Sequence, residues 1–403
     1  MTARSPVKKE ARSWLSRFIQ RPQQMLLRRA CFQVHLWAGV LVAIYIAVIG
    51  ISGSILVFKD ELMPRPHLAR AVGSPKLCTP ATLLAAFHVA ERAHTGWTPV
   101  LASCPTDANP YYQVNVQAKD ASASTVYVDP VGDRIAGEVD QEASWVGFVD
   151  RLHLDLLLKR DGRQWNGVGG AILIVLALTG LVMWWPGIRN WSRGLKFNLR
   201  LNWKRINFDL HSMIGFWTFF FTLIWATTAV YFAWPSPFER AIGTMSPITT
   251  ARYPAEEIQR FESRAAMSAG QPLDLDAVLQ SAMAATPGAR LEGFFFGSGS
   301  APIFTVYMAH GRLGDYANTD FVYFDQRTGE HFLTWYRGVN HTLGDWLLWL
   351  SVPLHFGTSF GMAGKIVWAA AGLAFPVLAI TGLLMYWNRW LSKRISALKR
   401  AGI

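Results

Sequence analysis

The sequence predicts a membrane all-α bundle of four transmembrane helices, organised as an internal pseudo-two-fold repeat, with an α+β module in each of its two long external connections. Three observations lead there. Four uncharged runs, at 36–58, 164–188, 210–238 and 366–388, each exceed the roughly 20 residues that cross a bilayer. Lys and Arg gather in alternate connections. One passage is written twice: Leu152-His153, glycines, then a span ending Thr179-Gly180-Leu181-Val182-Met183-Trp184-Trp185. It returns as Leu354-His355, glycines and Thr381-Gly382-Leu383-Leu384-Met385-Tyr386-Trp387. The offset is 202 throughout, which marks a duplicated unit.

The 403 residues are 51% hydrophobic and only 16% charged, the composition of an integral membrane protein rather than of several soluble domains. The net charge of +12 is unevenly spread. Residues 1–34 hold eight basic side chains and one acidic, 187–207 six and none, 388–403 five and none, which leaves the remainder at a net −6. These basic segments flank spans on alternate connections, so the excess reads as positive-inside topology and not as nucleic-acid binding. Both termini and the middle loop are assigned to the cytoplasm. No cleaved signal peptide is expected, because the first apolar run follows a long polar lead and lacks a small-x-small cleavage site.

In chain order, residues 1–31 form a basic lead with the mix of an amphipathic helix lying on anionic lipid. The first span, 32–58, opens Phe32-Gln-Val-His35-Leu-Trp-Ala-Gly39. The first external module, 59–144, carries helical patterning at 79–94 and strand-like runs at 111–117 and 124–128, the latter entering a turn at Asp129-Pro130-Val131-Gly132. Residues 145–163 are too charged to cross and too apolar to dissolve, and read as an outer interfacial segment. Span two covers 164–188, and 189–207 is a basic cytoplasmic loop.

Span three, 208–234, opens with His211 and Gly215, the same pair as His35 and Gly39 at an offset of 176. The second external module, 235–345, repeats the first: a helix at 273–285, runs at 291–296 and 302–308, and a hairpin signal from Phe321 to Gly329. Residues 346–364 form the second interfacial segment, read as non-crossing because a fifth span would put the basic tail outside. Span four is 365–388 and the tail 389–403. Cys78 and Cys104 share the first external module, where a disulfide is permitted; Cys31 lies at the inner face.

Four of the ten histidines occupy repeat-related positions at the membrane, His35 and His211 near the inner face, His153 and His355 near the outer. Polar side chains beside hydrocarbon are costly and are retained for function. Two neutral imidazoles facing each other in an apolar bundle suit haem b, whose iron takes one axial nitrogen on each face. Two bis-histidine haems, one per leaflet, are therefore expected. The nearby glycines either clear space for the macrocycle or let helices pack closely. Structural zinc wants four ligands and each level offers two. His67, His88, His94, His310 and His331 read as solvated or turn residues, whereas His341, fourteen residues before His355, could serve the outer site or a substrate. Neither a Gly-rich dinucleotide loop nor a P-loop is present. With no flavin or nicotinamide site, the electron donor is expected to be a membrane quinol or a separate reductase.

Two copies of a His…Gly span, a polar module with a Val-Tyr-x-Asp…Gly hairpin, a Leu-His segment and a span ending Thr-Gly-Leu-x-Met resemble the PepSY-associated membrane proteins. Within that group the chain is similar to the iron-uptake siderophore reductases of the FoxB type, over residues 30–390. The resemblance implies a protein of the bacterial inner membrane with two periplasmic PepSY-like modules. It also implies two haems b held by His35 with His211 and His153 with His355, passing electrons to a periplasmic ferric siderophore and releasing Fe(II). Arg151, Arg337, Lys365, Tyr336 and Trp346 lie where haem propionates or an anionic chelate could be met, or are simply solvated interface residues. The competing reading is a membrane-anchored PepSY regulator or sensor without enzymatic activity.

Overall fold

The computed structural model describes residues 25–63, 78–107, 109–118, 123–130, 134–140, 143–188, 191, 195, 200–252, 254, 257–261, 273–297, 303–357, 361–394 and 400. Most of the basic lead, middle loop and tail expected from the sequence lies outside these. In chain order the elements begin with α1 (Leu26–Leu56), α2 (Pro80–Ala93), β1 (Thr98–Ser103), β2 (Tyr112–Gln117), β3 (Ala123–Val128) and β4 (Ile135–Val139). Then come α3 (Trp145–Asp155), α4 (Lys159–Trp184), α5 (Trp203–Trp217), α6 (Phe219–Ala233), α7 (Pro235–Gly243) and α8 (Leu275–Ala285). The chain ends with β5 (Arg290–Phe296), β6 (Ile303–Ala309), β7 (Thr319–Asp325), β8 (His331–Trp335), α9 (Leu343–Phe356) and α10 (Gly361–Tyr386). Contacts divide the chain into a helical unit, 1–54 with 153–234 and 366–403, and a second unit, 55–152 with 235–365.

Among the described residues, three helices are long and apolar enough to cross a membrane: Leu26–Leu56, Asp161–Trp184 and Gly361–Arg394. Buried hydroxyls in these helices satisfy themselves on the preceding turn, as Ser54 does on the carbonyl of Gly50 at 2.8 Å, because no water is available there. The region expected as a continuous third span is instead α5 and α6, bent by 61° at Thr218. Thr218 turns its hydroxyl back onto Ile214 O and sits among consecutive bulky aromatics, Phe216, Trp217, Phe219, Phe220 and Phe221. Counting the bent pair as one span gives up to four.

Small residues let the helices meet. A Cβ on Gly50 of α1 would lie 2.7 Å from Gly372 O of α10, and one on Gly170 of α4 would lie 2.8 Å from Ala226 O of α6. The two crossings are related by the sequence offsets of 176 and 202. Ser54 ties the first crossing further, donating across it to Ala369 O at 2.9 Å.

The second unit is built on an antiparallel sheet ordered β4-β3-β2-β1-β5-β6-β7-β8. Each external connection supplies four strands and a helix to it, as the two expected α+β modules would. The halves join edge to edge, Leu101, Ala102 and Ser103 of β1 pairing with Phe295, Phe294 and Gly293 of β5. Helices α2 and α8 lie on one face over a common core that includes Leu83, Phe87, Val114, Leu279, Phe294 and Phe304. Thr79 caps α2 in a capping box with Pro80 at the first turn, and Cys78 just before it is bridged to Cys104 beyond β1. The hairpin signal at Gly329 is a β7–β8 turn with φ +73°, the conformation that favours glycine.

Helix α9 is anchored by one carboxylate. Fully buried Asp345 accepts from the backbone N–H of Thr249, Thr250, Ala251, His341 and Thr342 and from the Thr249 hydroxyl. Burial alone would raise its pKa, but the hydroxyl and backbone donors outweigh that and hold the carboxyl far below its usual range.

Candidate functional site

Three of the four repeat-related histidines lie in the helical unit, and each rests on the same seat. His35 of α1 puts Nδ1 3.0 Å from Thr179 Oγ1 of α4. His211 of α5 puts Nδ1 2.8 Å from Thr381 Oγ1 of α10. His153, near the end of α3, puts Nδ1 3.0 Å from Ser52 Oγ of α1. Glycine follows the hydroxyl residue each time, and the ring lies over it: a Cβ on Gly180, Gly382 or Gly53 would come within 3.1, 3.4 or 2.8 Å of the histidine Cε1. The seat is therefore a hydroxyl–glycine dipeptide on the facing helix.

His35 and His211 are brought together, with ring centres 6.3 Å apart and planes at 87°. Two imidazoles that shared one metal ion, each nitrogen about 2 Å from it and roughly 1 Å from its own ring centre, would have ring centres about 6 Å apart. The separation fits. Two imidazole nitrogens would suit a metal whose other ligands come with a macrocycle. In the second half the seat is braced, since buried Asn207 donates to Thr381 O at 2.9 Å. Cys31 stands at the corresponding position of the first half.

The surroundings of His153 are strained. Leu156, Leu157 and Lys159 take φ of 52°, 62° and 56°, a left-handed conformation that costs side-chain-bearing residues on the order of 1–2 kcal/mol each. Asn166 holds this turn to α4, donating to the carbonyls of His153 at 2.7 Å and Leu154 at 2.8 Å. Only glycine fits at 162, where a Cβ would collide with the backbone of Asp155. Strain of this kind persists where surrounding contacts fix it and gathers at functional sites.

His355 lies on α9 in the second unit. The other candidates of that unit have structural partners. The Lys365 ammonium is held by Glu61 at 2.8 Å. Arg337 lays its guanidinium over Phe321 and Trp335, and its backbone N–H donates to Asp320. Tyr336 reaches Ala285 O, Trp346 packs edge-on against Trp349, and His341 donates its backbone N–H to Asp345. Arg151 lies in α3. His88, His94, His310 and His331 pair with Glu91, Glu138, Asp320 and Thr334, while His67 lies outside the described residues. Of these partners, Asp320 has its pKa raised by burial, opposed by the His310 contact.

Sequence reasoning found the histidines and passed over their seats. The Thr-Gly step was visible in the repeat, but nothing local links it to a histidine 144 or 170 positions away. Ser52-Gly53 reads as an ordinary small-residue pair in a span. Its register mate Thr228 also donates to the carbonyl four residues back, Ile224 O at 2.7 Å, with Ala229 in place of glycine.

Apolar helices long enough to cross a bilayer and an α+β unit define a membrane protein. The chain belongs to the family of the PepSY-associated TM region, whose model matches residues 32–389. No curated protein matches it.

Proposed function

We propose that the protein is a four-span, internally repeated di-haem b oxidoreductase of the bacterial inner membrane. In this reading it passes electrons outward to reduce a periplasmic ferric siderophore and release Fe(II). The observation that carries the reading is the His35–His211 pair, held 6.3 Å apart in an apolar bundle with each Nδ1 already engaged. His35 and His211 hold the inner haem; His153 and His355 hold the outer, a pairing that rests on the 202-residue repeat. When bound, haem supplies a one-electron couple at each level.

The chain's own residues do the rest. The seat hydroxyls orient the imidazoles, and the apolar walls from Val42, Leu173, Leu176, Ala226 and Phe375 exclude water. Helix α1 carries His35 and the Ser52 seat 17 residues apart, about 25 Å at 1.5 Å per residue, so the two levels fall in opposite leaflets. The donor is a quinol or a separate reductase at the cytoplasmic side. Siderophores favour Fe(III), so one electron delivered to the chelated iron weakens its hold.

The test is stopped-flow mixing of dithionite-reduced, desalted protein with a ferric siderophore. Reoxidation by the ferric complex and none by the iron-free ligand is the expected result. Equal reoxidation by both, or by neither, removes the substrate assignment.

A further inference from the structure

We infer that Ser52, Thr179 and Thr381 are positioning residues that fix His153, His35 and His211 in the Nδ1–H tautomer and so select Nε2 as the nitrogen that meets a metal. The inference rests on the proposed haem reading for its purpose, but its evidence is the geometry of the seats.

A hydroxyl has one proton to give. Thr179 Oγ1 commits its proton to Val175 O at 2.6 Å and Leu176 O at 3.2 Å. Thr381 Oγ1 does the same on Val377 O at 2.7 Å and Leu378 O at 3.2 Å, and Ser52 Oγ on Val48 O at 2.7 Å and Ile49 O at 3.3 Å. In each seat the oxygen therefore has only lone pairs to offer, and the histidine nitrogen facing it must be the donor. A neutral imidazole with its proton on Nδ1 has its lone pair on Nε2. The glycine of the seat lets the ring lie against the helix, so hydroxyl and glycine work as one device. A buried histidine that merely needed a partner could take either tautomer; three independent seats that all exclude one tautomer point to selection of the ligating atom.

The test has two readouts. In haem-free protein labelled with 15N-histidine, the nitrogen shifts should report Nδ1–H for His35, His211 and His153. Thr179→Val should move His35 alone to a mixture of tautomers, and Thr179→Ser should restore it. In haem-loaded protein, Thr179→Val and Thr381→Val should each raise one midpoint potential and leave the other, because losing the acceptor makes the imidazole a poorer electron donor. The serine variants should return it. Nε2–H signals in the wild type, or a valine variant with unchanged shifts and potentials, would overturn the inference. A colourless protein that still shows three Nδ1–H histidines would defeat the haem reading and leave the seats standing.

Discussion

The rings of His35 and His211 stand nearly perpendicular, 6.3 Å between centres, and each is tied through Nδ1 to a threonine of a different helix. Four helices are thereby joined through two side-chain pairs.

Filling a seat should evict its ring. Gly382→Leu would place branched carbon where the His211 Cε1 now sits, since even a Cβ lies 3.4 Å away. The expected outcome is loss of one haem of two by pyridine haemochrome assay, with the protein still monodisperse in detergent. Retention of both haems would show that the ring does not need that space.

Asp345→Asn should destabilise the second unit at neutral pH by roughly 2–4 kcal/mol, because one amide oxygen cannot serve five N–H donors and a hydroxyl. The sign with pH follows from the depressed carboxyl pKa of the folded state. Its stabilisation is complete above the unfolded value of about 3.9 and is lost as pH falls toward the folded one. The gap between wild type and variant, read from thermal unfolding, should be constant from pH 8 to 5 and narrow below about 4. A gap that widens on acidification would contradict the role.

The Cys78–Cys104 bridge closes a loop across 26 positions at the start of α2. Cross-links of that size stabilise by about 3 kcal/mol. Cys78→Ser with Cys104→Ser should lower the melting temperature and abolish its sensitivity to dithiothreitol, leaving the haem spectrum unchanged. A spectral change would mean that the bridge reaches further than the second unit.

Much of this architecture is legible in the sequence because its signals are local. Uncharged runs mark the spans, helical patterning at 79–94 and 273–285 marks α2 and α8, and alternation marks β2 and β3. Strand β1 hides because Pro99 reads against a central strand; the structure answers with a register shift between Pro99 and Leu101. It is this strand that joins the halves of the two external connections into one sheet. The break at Thr218 hides for another reason: it has neither proline nor glycine, only a hydroxyl among aromatics. The repeat-related histidines are readable from duplication, whereas the seats of His35, His211 and His153 depend on contacts between distant helices that no window of sequence contains.

The most direct measurement is the absorption spectrum and haem count of the purified protein beside His35→Ala and His211→Ala. The account predicts a red protein with two haems b per chain and a Soret band that shifts on dithionite reduction. Each variant should keep one haem. A colourless wild type after haem-supplemented expression, or variants that lose both haems or neither, would contradict it.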